Sequence, residues 1–385
     1  MNLNFEFATA TRIIFGNLSV EKLPDLIASM GNNILLVTGK NTDRAEEVLS
    51  KIQKRDCRIA IFSVESEPTT TIIDGGINLA RVEGCNLVVG LGGGSVIDSA
   101  KAIAAMVPNK GELLDYLEVI GQGKALVDDP LPCIAVPTTS GTGAEVTKNS
   151  VIKSVEHNVK VSLRSNKMYP DVALVDPVLT HSMSPELTAS TGVDALTHLL
   201  ETFVSNQANP FVDLLCREGM ERVSTSLERV YKNGEDVEAR ENMSMASMLG
   251  GMALANVKLG AVHGFAGPMG GMFPIAHGAV CACLLPPVMK VNIKAIKERN
   301  EVERLKKYDV LAKILTGDRI ACAEDAIGWV NALIEDLNIP SLSKFGLATA
   351  DFSELVKKAK VSSSMKGNPV LLDDEELMTI LEKSL

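Results

Sequence analysis

Asn86-Leu87-Val88-Val89-Gly90-Leu91-Gly92-Gly93-Gly94-Ser95, running on into Val96–Met106, is the stretch whose reading decides the fold of this chain. A short β-branched run that ends in a glycine turn and opens a helix is the strand–turn–helix unit of a parallel α/β sheet. Free amides at the helix start, and glycines that admit a close backbone approach, make such a turn an anion cradle. The spacing departs from the usual dinucleotide fingerprint, since Ser95 stands where a third glycine is expected, and no Gly-Lys-Ser/Thr follows to make a Walker loop. A capping box of Ser95 and Asp98 would account for the serine but not for three consecutive glycines. Asp98 and Lys101, three apart on the emerging helix, either pair on its surface or reach toward a ligand.

Working outward, further apolar runs at Ile34–Thr38, Ile59–Val64, Ile134–Val136 and Val172–Val175 read as strands, with helical patterns at Thr42–Lys54 and Thr71–Val82 between the first three. This alternation predicts a parallel sheet covered on both faces, with the loops after its strands along one edge. A second turn, Pro137-Thr138-Thr139-Ser140-Gly141-Thr142-Gly143, follows another strand. Two such turns at one sheet edge suit a long ligand with a pyrophosphate. From Leu187 onward the strand signal stops, and Leu187–Val204, Phe211–Tyr231, Arg240–Asn256 and Ala321–Leu337 read as helices. The expected organisation is an α/β dinucleotide-binding domain over residues 1–182 and an all-helical metal-binding domain over 183–385.

With 385 residues the chain is too long for one ordinary core, which agrees with two domains. The net charge of -10, without a basic run, excludes a nucleic-acid surface. No apolar stretch reads as a membrane span, and the N-terminal residues lack the pattern of a signal peptide. The seven cysteines form no C-x-x-C pair, which fits a reduced, cytoplasmic protein. Cys281 and Cys283, in an apolar stretch, are expected to be buried packing.

Asp194 and His198 are four apart in a helical pattern and share a face. Alone, the pair fits a carboxylate–imidazole hydrogen bond as well as ligation. His263 and His277 flank the glycine- and proline-rich segment Phe265–Pro274, where a chain reversal would bring the second imidazole back to the first. One carboxylate and three imidazoles suit iron(II), zinc, cobalt or nickel and leave a position for substrate. His157, in a polar turn, and His181, near the domain junction, are left out.

On these motifs, the chain resembles the iron-containing alcohol dehydrogenases over essentially its whole length. The motifs are Gly92-Gly93-Gly94-Ser95 with Asp98 and Lys101, then Pro137–Thr142 with Glu145 and Thr147, the Thr191–His198 helix, and the His263 and His277 segment. The resemblance implies the fold shared with dehydroquinate synthase-like proteins, pyrophosphate at Gly92, Gly93, Gly94 and Ser95, and Thr138, Thr139, Thr142 and Leu179 beside the adenine or nicotinamide. It implies Asp98 near the nicotinamide end, so that Asp98 and His277 carry the catalytic assignment, with Asp194, His198, His263 and His277 as metal ligands. It also implies a homodimer or higher homo-oligomer.

The expected reaction is oxidation of small primary alcohols or diols, and aldehyde reduction in reverse, with the alcohol oxygen at the open position of iron(II), or zinc in its place. Three departures from the family pattern stand out. Gly267 replaces a second histidine four residues after His263, Ala276 replaces a proline, and Ser184-Pro185 replaces a proline pair. The first removes a candidate proton carrier and leaves solvent, through a hydroxyl relay, as the expected route. After Ile34–Thr38 the loop reads Gly39-Lys40-Asn41-Thr42, with no carboxylate to guard the ribose, so NADP(H) is the expected preference, with NAD(H) also accepted. The rival enzymes are a glycerol-type polyol dehydrogenase, a metal-free maleylacetate-reductase-like enzyme and a dehydroquinate-synthase-like lyase, the last lacking its basic cluster here. The non-enzymatic rival is a nucleotide-binding regulatory protein.

Overall fold

A strand buried on both faces needs apolar side chains at every position, and a parallel sheet flanked by helices is where such strands sit. The computed structural model, which describes residues 4–40, 50, 57–157 and 159–385, has a sheet of this kind. Its first unit, residues 9–139 and 143–181, runs β1 (Arg12–Phe15), α1 (Leu23–Met30), β2 (Asn33–Thr38), β3 (Arg58–Ser63), α2 (Thr70–Glu83), β4 (Leu87–Gly92), α3 (Gly94–Met106), β5 (Cys133–Pro137), β6 (Asn149–Ser154), β7 (Val159–Arg164) and β8 (Val172–Val175). The sheet order is β1-β8-β5-β4-β2-β3, every pair parallel, and β6 and β7 form a separate antiparallel pair. β4 and β5 are buried at every position. The expected helix at Thr42–Lys54 lies, apart from Ser50, outside the described residues.

β4 extends further than its sequence suggested, through Gly90 and Gly92. The reason is the closeness of α3. A Cβ on Gly90 would come 2.8 Å from the Cβ of Ala100, and one on Gly92 would come 2.6 Å from Val96. Both glycines therefore serve helix–strand packing inside the strand. α3 begins at Gly94 with Gly93 as its N-cap, so Ser95 lies within the helix and the Ser95–Asp98 capping box does not form. Strand order reverses direction at β2 and β4, and ligands in open α/β sheets bind outside the carboxyl ends of strands at that point.

The second unit comprises residues 182–385, with residues 140–142 and the N-terminal segment through Ala8. It contains α4 (Pro185–Val204), α5 (Pro210–Lys232), α6 (Val237–Asn256), α7 (Ala261–Met272), α8 (His277–Glu298), α9 (Val302–Thr316), α10 (Ala323–Asp336), α11 (Phe352–Val361) and α12 (Asp374–Glu382). Start signals explain α4: the Ser184 hydroxyl accepts from the Leu187 amide, Pro185 opens the first turn and Glu186 faces the positive end of the dipole. Gly192 lets α5 pack closely, because a Cβ there would come 2.2 Å from Leu227.

The expected chain reversal across Phe265–Pro274 is corrected by α7, which runs through Gly267, Pro268 and Gly270 to Met272. Burial of Val262, Phe265, Ala266 and Met269 in the helical core outweighs the weak helix propensity of these residues. The break is confined to residues 273–276, between α7 and α8. By length and composition α8 is apolar enough to cross a membrane, which the sequence reading did not anticipate. It is 83% buried in its apolar window, as a central core helix must be.

Candidate metal centre and phosphate cradle

α4 places Asp194 and His198 one turn apart, and both are almost wholly buried. α7 supplies His263, and α8 supplies His277 as its first residue. The four sequence-expected ligands do converge. Asp194 Oδ1 lies 3.4 Å from His263 Nε2, 3.7 Å from His277 Nε2 and 3.8 Å from His198 Nε2. The His198 and His263 rings stack with centroids 4.6 Å apart, and His263 and His277 are 5.4 Å apart. Asp194 Oδ1 is buried and makes no hydrogen bond. An orphaned buried carboxylate oxygen is costly unless a cation fills the gap.

Two residues that the sequence reading did not assign belong to this site. Glu201 is seven residues beyond Asp194 on α4, hence on the same face, and its carboxylate accepts from the Val262 amide at 2.7 Å. It also meets His263 Nδ1 at 2.7 Å, which leaves Nε2 aimed at Asp194. Cys281, one turn after His277 on α8, is buried in the core as expected, and its Sγ is also 3.7 Å from both His263 Nε2 and His277 Nε2. Among the described residues Asp194, His263, His277 and Cys281 bring one donor atom each within 4.8 Å of one another. His198 adjoins that set through Asp194. Cys283 behaves as expected and its thiol points to the Pro340 carbonyl.

The buried groups of the site shift one another's ionisation. Burial pushes His198 down to about 4, against the pull of Asp194. Burial alone would raise the Asp194 carboxyl, but His198, His277 and His263 hold it below the usual carboxylate range. Burial would likewise lower His263, yet Cys281, Asp194 and Glu201 around it push it well above its ordinary value. Metal binding to an imidazole requires its neutral form, so these shifts belong to the site without an ion. Burial pushes the Cys281 thiol up to about 12. A partner that fixes a ligand's tautomer is worth about 10–100-fold in metal affinity. Glu201→Gln is therefore expected to weaken zinc binding by about that factor in a chelator competition, and unchanged affinity would remove Glu201 from the site.

In the α/β unit, the carboxyl ends of β2, β4 and β5 lie side by side, with Thr38 beside Leu91 and Gly92 beside Pro137. The Thr138 amide bonds the Gly92 carbonyl at 2.9 Å, and a Cβ on Gly93 would come 3.3 Å from Thr139. Gly39, after β2, faces Val96 of α3. Gly39, Gly92, Gly93, Gly94, Ser95, Thr138 and Thr139 are thus brought to one edge around a helix start that no side chain caps. Lys40 is exposed, and Asn41 lies outside the described residues. Thr142 groups with the helical unit, where Ser140 bonds Ser244 at 3.0 Å, and Leu179 sits half-buried on the sheet core after β8.

Asp98 is fully engaged: Oδ1 pairs with Lys101 at 3.0 Å and Oδ2 accepts from the Val151 amide at 2.9 Å. Glu145 and Thr147 are buried beside them, and burial pushes Glu145 up to about 7. His157 is an exposed turn residue bonded to Ser154.

Residues 10–177 match the family described as iron-containing alcohol dehydrogenase, and residues 188–385 match its C-terminal counterpart, the Fe-containing alcohol dehydrogenase family, C-terminal. Alcohol dehydrogenase 4 of Saccharomyces cerevisiae is 32% identical over 376 residues, 96% of each chain. The structure of a 1,3-propanediol oxidoreductase superposes with a TM-score of 0.93 at 30% identity, covering 99% of this chain and 100% of that one. Sulfoacetaldehyde reductase from Bifidobacterium kashiwanohense, solved in complex with NAD+, gives 0.88 at 28% identity, covering 100% and 99%. With residues 10–177 and 188–385 both matched and a relative 32% identical over 96% of each chain, the chain belongs to the iron-containing alcohol dehydrogenase family.

Proposed function

We propose that this protein is a metal-dependent, nicotinamide-linked alcohol dehydrogenase and aldehyde reductase for small primary alcohols or diols. The observation that carries the reading is the buried Asp194 oxygen, without a hydrogen bond, faced by three imidazoles at 3.4–3.8 Å. That donor set fits a divalent ion, iron(II) or zinc. Asp194, His198, His263 and His277 would hold it. Gly92, Gly93, Gly94, Ser95, Thr138 and Thr139 would hold the pyrophosphate of the dinucleotide. When bound, the ion supplies Lewis acidity to an alcohol oxygen and the nicotinamide supplies the hydride acceptor.

The protein's own residues then do three things. Asp194 cancels part of a dication's charge, and the neutral imidazoles add none. Glu201 fixes the tautomer of His263. Asp98 and Lys101 anchor the turn at residues 144–149 to α3, so the part of Asp98 is positional. No side chain on α7 stands at the Gly267 position, and the space within 4 Å of a Cβ there is empty. Protons therefore pass by solvent. The names of the relatives, an alcohol dehydrogenase, a propanediol oxidoreductase and an aldehyde reductase with NAD+, support the substrate class and the cofactor type.

The test is anaerobic oxidation of NADPH and of NADH with a panel of short aldehydes. Lys40 and the absence of a carboxylate at residues 39–42 predict a higher kcat/KM with NADPH, alongside measurable turnover with NADH. A preference for NADH would overturn the reading of that loop, and no turnover with any aldehyde would overturn the function.

A further inference from the structure

We propose that Cys281 is a thiolate ligand of the ion held at the Asp194 cluster, and that it biases the site toward zinc and cobalt(II) over iron(II). The inference rests on the metal-dependent reading above, and adds a ligand to it. Its ground is distance. Around a tetrahedral zinc ion, nitrogen or oxygen donors at about 2.1 Å from the metal stand about 3.4 Å apart, and a thiolate at about 2.3 Å stands about 3.6 Å from each nitrogen. The observed separations are 3.4 Å between Asp194 Oδ1 and His263 Nε2, 3.7 Å between Asp194 Oδ1 and His277 Nε2, and 3.7 Å from Cys281 Sγ to each of the two imidazoles. The two 3.7 Å separations are also those of thiol–imidazole hydrogen bonds; what marks a ligand is that both nitrogens and the buried Asp194 Oδ1 converge on the same point.

The helix explains the arrangement. His277 opens α8 and Cys281 follows four residues later, so both project from one face onto the same point. Cys281 is fully buried and lies on the side where α7 and α4 bring His263 and Asp194. Asp194 Oδ1 supplies an independent sign of a missing cation, being buried without a hydrogen bond. A thiol that coordinates a divalent ion gives up its proton to solvent on binding, and no electron is transferred. A soft thiolate donor increases the preference for zinc over iron(II) that carboxylate and imidazole donors already have. Among the described residues the four donors that meet one another are Asp194, His263, His277 and Cys281, and His198 adjoins them through Asp194.

The experiment uses the full-length protein, stripped of metal and reloaded anaerobically with cobalt(II) alone, with absorption spectra of the wild type, Cys281→Ser and Cys281→Ala. The proposal predicts visible ligand-field bands in all three. It predicts a strong near-ultraviolet thiolate-to-cobalt charge-transfer band in the wild type, absent from both variants. Loss of this ligand should also weaken zinc at least about tenfold in a chelator competition, and iron(II) by less. Ligand-field bands without the charge-transfer band in the wild type would overturn the thiolate and leave the metal site standing. So would a charge-transfer band that survives in both variants. Absence of cobalt binding from the wild type would overturn the thiolate together with the metal-dependent reading on which it rests.

Discussion

Asp194→Ala abolishes stoichiometric binding of a divalent ion and lowers aldehyde reduction by about three orders of magnitude or more, the equivalent of about 4 kcal/mol of transition-state stabilisation. Asp194 Oδ1 is the atom that all three imidazoles face. Without it a dication in a buried pocket loses the carboxylate that offsets its desolvation. Asp194→Asn keeps the volume and removes only the charge, so it is expected to fail in the same way. Metal analysis after dialysis, with circular dichroism as the control for folding, separates the effect from unfolding. Wild-type metal content in both variants would refute the ligand assignment.

Lys101→Met lowers the stability of the α/β unit by about 3–5 kcal/mol, the range for removing one partner of a buried ion pair. Lys101 is 1% exposed, and its ammonium serves the carbonyls of Ala144 and Asn149, the hydroxyl of Thr147 and the carboxylate of Asp98. A methionine fills the space of the stem but leaves those acceptors unpaired in the interior. Lys101→Arg is no remedy, because a planar fork does not match acceptors arranged around a point charge. A shift of the urea midpoint, read from the slope-corrected unfolding curve, measures the loss. A change under about 1 kcal/mol would show that water replaces the ammonium.

Much of this was legible in residues 86–106, because a strand buried on both faces must be a continuous apolar run and its glycine turn must precede a helix. β2, β3, β5 and β8 carried the same signature and lie where the runs were read. β1 was missed because it is an edge strand with a single buried position and an arginine at its start, so it shows no continuous apolar run. So was the pair of β6 and β7, whose mixed lysines and serines hide a half-buried face.

α7 was the hardest element to see. Gly264, Gly267, Pro268 and Gly270 argue locally against a helix, and only burial in the assembled core reverses that. The candidate ligands Asp194, His198, His263 and His277 were readable from residue type and spacing, with the resemblance joining them into one set. Glu201 was readable in principle, seven residues beyond Asp194. Cys281 was not, because its spacing from His277 has meaning only once His277 is known to begin a helix.

The most direct test of the central claim pairs metal content with turnover on the same samples. The protein is stripped by chelation, checked for residual metal, and reloaded anaerobically with iron(II) or with zinc before assay with NADPH and a short aldehyde. The account predicts negligible turnover in the stripped protein, and recovery that rises in proportion to bound ion, up to about one ion per chain. Full turnover with the ion verified absent would contradict it.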